Sequence, residues 1–286
     1  MQIRFGYEIT VHCRQPTEMV CLLDVHPERV ADLRRIPRVQ ITPTTPSTTY
    51  HDVFGNICRR YTAAAGDSTL FSDGVIEDCG ELDALVPDAG EVPVAQLPDA
   101  SLQFLMGSRY CQTDQLGTLA WEQFGNHAPG WTRVQAICEF VHRWIRFDYM
   151  AASSTRGALE VYAGRVGVCR DYAHLAIALC RCMNIPARYV NGHLGDIGVP
   201  VVDPMDFSAW IEVWLSGPDG GRWYTFDPRN NARRIGRIVV ARGRDAADIP
   251  LINSFGPHLL RHFKVWTYDL DDAPDSASGL PALRAD

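Results

Sequence analysis

Apolar and polar positions alternate from the start of the chain. Ile3, Phe5, Tyr7, Ile9 and Val11 are separated by more polar neighbours, the two-residue period of a half-buried strand. A short apolar run follows at 19–25. Pro43 and Pro46 sit in a Thr/Ser cluster that reads as a loop, and Gly55-Asn56, between Val53 and Ile57, has the chemistry of a hairpin turn. This pattern predicts an all-β N-terminal domain over residues 1–81. Residues 82–100 hold Pro87, Pro93 and Pro98 among several acids and predict a linker lying over the surface.

Beyond the linker the period becomes helical. Val134, Ile137, Cys138, Val141, Trp144 and Ile145 recur at three- and four-residue spacing and predict an amphipathic helix over 132–146. A second helix is expected over 169–183; its residues from Ala173 to Cys180 are apolar almost all round, which places it at the centre of a core. Pro186 stops it, and a strand is expected from Ala187. Two further strands, 208–215 and 221–227, are joined by residues 217–220, a loop suited to a hairpin. The expected class is α+β: the β domain, then a core over 101–270 in which a central helix packs on an antiparallel sheet. Residues 271–286, rich in Asp, Ala, Ser and Pro, read as a flexible tail.

Composition narrows the function classes. With 286 residues, 46% of them hydrophobic, the chain is long enough to bury a sizeable core, which excludes a disordered or fibrous protein. No window approaches the ~18 apolar residues of a membrane span, and the N-terminus has no secretory pattern. Nine cysteines, an odd number scattered through apolar runs, read as reduced thiols and so as a cytoplasmic protein. The net charge of −7 argues against nucleic acid as a partner. A single lysine, Lys264, excludes lysine-centred covalent catalysis almost everywhere. No phosphate-cradling or dinucleotide glycine motif occurs, and Cys180-Arg181-Cys182 is too close-set for a zinc knuckle, so no cofactor or metal is expected.

Cys169 is the cysteine with candidate chemistry. Gly164, Arg165, Gly167 and Arg170 bracket it where a loop enters the buried helix. The positive end of the helix dipole favours thiolate there. Counting back from the hairpin loop pairs Trp214 with Trp223, Glu212 with Thr225 and Trp210 with Asp227, and makes Ser208 and Asp227 diagonal neighbours on one face. Ala209, Ile211, Val213 and Leu215 form the other, apolar face. A helix led by a cysteine and packed on a face with an aligned polar pair is the layout expected of a nucleophile with a relay behind it.

Four ordered motifs extend this reading: Gly167-Val168-Cys169-Arg170-Asp171-Tyr172-Ala173, Asn184-Ile185-Pro186-Ala187-Arg188-Tyr189-Val190, Asp206-Phe207-Ser208-Ala209-Trp210-Ile211-Glu212-Val213, and Trp223-Tyr224-Thr225-Phe226-Asp227-Pro228. Together they resemble the core of the bacterial transglutaminase-like superfamily, and the strand-rich start resembles the β domain that precedes it in many members. The resemblance implies a papain-like triad with Cys169 as nucleophile and Asp227 as its acid, acting on a peptide or protein amide through a thioester. Where the family has a histidine before the Ala-Trp pair, this chain has Ser208. A serine hydroxyl cannot serve as the base. Three readings follow: a thiolate held by the helix terminus with Asp206, Asp227 or water moving protons; His193 as replacement base; or a binding module without acyl-transfer chemistry. His174 lies on the wrong side of the helix and reads as a core residue. Trp210 and Arg229 are expected to wall a substrate cleft, although six arginines between Arg229 and Arg244 read first as a solvated basic face.

Overall fold

The computed structural model describes residues 1–271 apart from Asp203 and Asp219. The tail expected over 271–286 lies outside the described residues from position 272 onward.

The alternation of the first residues becomes β1 (Gln2–Cys13), which pairs antiparallel with a later strand from Gln2 opposite Glu77 to Cys13 opposite Gly66. Between them run β2 (Thr17–Cys21), β3 (Leu33–Arg35), β4 (Gln40–Thr42), β5 (Ser47–His51) and β6 (Ile57–Ala63); the partner of β1 is β7 (Gly66–Glu77). The turn between β5 and β6 is made as the Gly-Asn pair predicts. Asp52 accepts from the backbone N–H of Phe54 and of Asn56, and Gly55 takes a φ of 83°, which a glycine adopts without strain.

The core follows as α1 (Asp99–Leu102), α2 (Thr113–Phe124), α3 (Trp131–Trp144), β8 (Arg146–Phe147), α4 (Ala158–Gly164), β9 (Val166–Gly167) and α5 (Cys169–Cys182). Then come β10 (Ala187–His193), β11 (Phe207–Leu215), β12 (Arg222–Phe226) and β13 (Ile238–Gly243). The last four form one antiparallel sheet in the order β12-β11-β10-β13. Every residue of α5 from Asp171 to Arg181 is buried, by α2, α3 and α4 around it and by β10 and β11 beneath. The central helix on an antiparallel sheet is therefore present, and the class is α+β.

Two findings differ from the sequence reading. Residues 252–254 and 258–269, expected within the core, form β14 (Ile252–Ser254) and β15 (His258–Asp269) and pair with β2 and β1. The end of the chain thus completes both sheets of the first part. The second concerns the faces of β11. The hairpin register is as counted, with Trp214 opposite Trp223 and Glu212 opposite Thr225. The helix, however, packs on the apolar face: Ala209, Ile211, Val213 and Leu215 share one core cluster with α5. The physical reason is burial, since the apolar face gains most by leaving water. The polar face finds arginines instead. Glu212 accepts from Arg188 at 2.6 Å and from Arg242 at 3.0 Å, and Trp210 closes a small separate cluster with Val190 and Val239.

Candidate active site

The loop before α5 is fixed by its own side chains. Asp171, in the first turn, accepts from the backbone N–H of Val168 at 2.9 Å and from Arg156 at 2.8 Å, capping the helix start. Gly167 is required beside it. A Cβ there would stand 2.6 Å from the Asp171 carboxylate, closer than any side chain tolerates. The two-residue parallel pairing of β8 with β9 then sets Phe147 against Gly167 and carries Tyr149 to the same mouth. These contacts deliver Cys169, the first residue of α5, half-buried into a cavity of about 360 Å³.

Cys169, Asp206, Ser208 and Arg229 all line this cavity, together with Phe147 and Tyr149. Burial pushes the Cys169 thiol up to about 11, and the nearby Asp206 carboxylate pushes the same way; backbone N–H groups of Ala209 and Arg170 and the Arg229 guanidinium oppose them. The helix terminus therefore does not win, and the expectation of a stabilised resting thiolate is corrected. Desolvation and a neighbouring negative charge outweigh a dipole whose contribution is typically below ~1 kcal/mol. The Asp206 carboxyl is itself raised by burial, with the Phe207 backbone N–H and Arg229 acting against it.

Other expected residues lie elsewhere. His193 is buried in an apolar nest, its ring 4.6 Å from Phe207 and 5.2 Å from Phe5, with its Nδ1 3.2 Å from the Thr267 hydroxyl. Burial lowers it to about 3, so it is a neutral core residue outside the cavity lining. Trp210 is completely buried under Arg237, whose guanidinium lies 4.9 Å from its ring, and walls no cleft. Asp227 is 6% exposed and fully engaged: Arg237 donates to it at 2.9 Å and Asn230 donates from both its backbone and its side chain. It does not line the Cys169 cavity. His174 accepts from the Ala246 backbone N–H and stacks on Tyr110, as a core residue does.

The arginine run is not a solvated face. Arg234, Arg237 and Arg242 are buried and paired with Asp196, with Asp83 and Asp227, and with Glu212 and Glu28 respectively. Arg229 alone of the six reaches the cavity without a carboxylate partner among the described residues. Phe147 and Tyr149 are the site residues that sequence reasoning missed. They come to Cys169 through a two-residue strand pairing that has no pattern along the chain. Among the described residues no three His, Cys, Asp or Glu side chains gather as a metal site, and no helix is long and apolar enough to cross a membrane.

Comparison with known proteins agrees with this fold. Residues 118–228 match the family model of the transglutaminase-like superfamily, a span that includes Cys169, Ser208 and Asp227. A crystal structure of a candidate cysteine protease from Cytophaga hutchinsonii is similar over 96% of this chain and 92% of that one, with a TM-score of 0.81 and 27% identity. An uncharacterized protein of Mycobacterium leprae is 27% identical over 228 residues, 74% of this chain and 77% of its own length. An uncharacterized protein of Mycobacterium tuberculosis is 41% identical over 112 residues, 36% of each chain. With the cysteine-led helix, the antiparallel sheet beneath it and the preceding β sheets all in place, residues 118–228 of this chain form a transglutaminase-like domain.

Proposed function

We propose that the site carries out cysteine-dependent acyl transfer on an amide of a peptide or protein, with Cys169 as nucleophile and Asp206 as proton acceptor. The observation that carries this reading is that a thiol at the start of a buried helix and a carboxylate of raised proton affinity line one open cavity. A general base works best when its proton affinity approaches that of the group it serves, so the burial that raises Asp206 fits it to the task. In the attack, sulfur bonds to the carbonyl carbon and the thiol proton passes to Asp206. The carbonyl oxygen takes the negative charge beside the backbone N–H groups that start α5. The proton then goes to the leaving nitrogen as the C–N bond breaks, leaving a thioester. Water attacks next, its oxygen bonding to the carbonyl carbon as its proton passes to Asp206; the C–S bond then breaks, the sulfur takes that proton, and the carboxylic acid leaves.

The thiol's high proton affinity and Ser208 favour a second reading, a binding module that keeps the cleft and has lost the chemistry. Intact-protein mass spectrometry after mixing with 4-nitrophenyl acetate separates the two. Acyl transfer predicts an acetyl adduct on Cys169 that clears with time, and a loss of nitrophenol release on the order of 10³-fold in Cys169→Ala. A wild-type protein that forms no adduct at Cys169 and releases nitrophenol no faster than Cys169→Ala is a binding module.

A further inference from the structure

Arg229 stands apart from the other arginines of its segment. Arg234, Arg237, Arg242 and Arg244 each hold a carboxylate at 3.0 Å or closer, and Arg233 donates to the Asp83 carbonyl. Among the described residues Arg229 makes one side-chain hydrogen bond, from Nη1 to the Asn230 side-chain oxygen at 3.2 Å. Its guanidinium lies 4.3 Å from the Phe147 ring centre, a flank that fixes the plane of the group without using its N–H edge. Arg229 lines the cavity beside Cys169, and its charge acts on both the Cys169 sulfur and the Asp206 carboxylate. The lining also includes the apolar Val199, Pro200, Val202 and Met205. A planar fork of donors, pre-oriented by an aromatic ring, matches a carboxylate in both geometry and charge. Of the two acids on the same cavity, Asp196 is already paired with Arg234, and Asp206 belongs to the reaction.

We propose that Arg229 is a specificity-determining residue that binds a carboxylate on the acyl substrate, so that the enzyme prefers acidic acyl groups next to the bond that Cys169 attacks. This rests on the acyl-transfer reading above. Two alkylating reagents of similar size test it without requiring turnover. Iodoacetate carries the carboxylate and iodoacetamide does not. The ratio of their rates at Cys169, read by peptide mass spectrometry, is compared with the same ratio for the neutral thiol N-acetylcysteinamide. Any change in the thiolate fraction cancels in the ratio. A contact of this kind predicts a Cys169 ratio about fivefold or more above the model thiol, falling to the model value in Arg229→Gln, partly kept in Arg229→Lys, and collapsing at high salt in the wild-type protein. A wild-type ratio equal to or below that of the model thiol, including no labelling by iodoacetate, overturns the inference even if the acetyl adduct forms. An absent adduct with an elevated ratio leaves the anion contact standing and removes the chemistry.

Discussion

Cys169 meets two opposed influences, the field of the α5 terminus and its backbone amides on one side, burial and Asp206 on the other. The second set prevails, so at neutral pH the resting site holds a thiol beside a carboxylate. Placing an imidazole in the same cavity changes that balance. Ser208→His puts a ring on the cavity lining, where it pairs with the thiolate and is oriented by Asp206, since Asp227 is already held by Arg237. Base assistance is worth about 10²- to 10⁴-fold, so iodoacetamide labelling of Cys169 at pH 7 is expected to rise at least tenfold (about one decade). A variant that folds normally and labels at the wild-type rate contradicts the idea that the lack of an imidazole keeps this resting thiol protonated. Cys169 was legible in the sequence because glycines and arginines mark a tight entry into an apolar helix. Trp210 was not: alternation tells which residues share a face of β11, but not that Arg237, Val190 and Val239 cover Trp210 on that face.

The start of α5 depends on one close approach between elements. Gly167, at the end of β9, leaves room for the Asp171 carboxylate that caps the helix. Gly167→Ala is expected to displace that cap and to cost about 1–2 kcal/mol of stability, measured as a lower urea midpoint. An unchanged midpoint would show that the cap is not held by this contact. The β11–β12 hairpin was legible down to its register, because its loop length and the alternation on both sides are local. The attachment of β14 and β15 to the first sheets was not. Their partners lie more than 200 residues away along the chain, as with Ile3 opposite Asp269, and no local period encodes such pairing.

Among the described residues, His193 and His174 are sealed in the core, and His26, also buried, is lowered to about 4 by burial and by the Arg242 charge. His193 is lowered to about 3 by burial, and His174 falls well below its ordinary value by burial and by the Arg170 and Arg181 charges. In the unfolded chain both titrate near 6.5. As pH falls below that value the unfolded chain takes up protons that the folded one refuses, so the stability present above pH 6.5 is lost as the pH drops toward the folded values. Each histidine contributes up to about 1.4 kcal/mol per pH unit in that window. Urea midpoints are expected to decline between about pH 6 and pH 5, before most carboxylates titrate, with a shallower decline in His193→Gln. A midpoint constant over this range would contradict the burial of both rings as neutral groups. The place of His174 in an apolar helix marked it as a core residue, but the burial of His193 follows only from the closure of the first sheets over β10.

The central claim is that Asp206 accepts the Cys169 proton, and Asp206→Asn tests it most directly, read two ways on one sample. The substitution removes the negative charge that raises the thiol, so Cys169 is predicted to alkylate with iodoacetamide several-fold faster at pH 8, a decrease of order RT in proton affinity for each few-fold. The same variant is predicted to lose about 10²-fold or more of its ester or peptide hydrolysis, because the base is gone. Faster alkylation with lost turnover is the result the account requires; an Asp206→Asn protein that hydrolyses its substrate at the wild-type rate would contradict it.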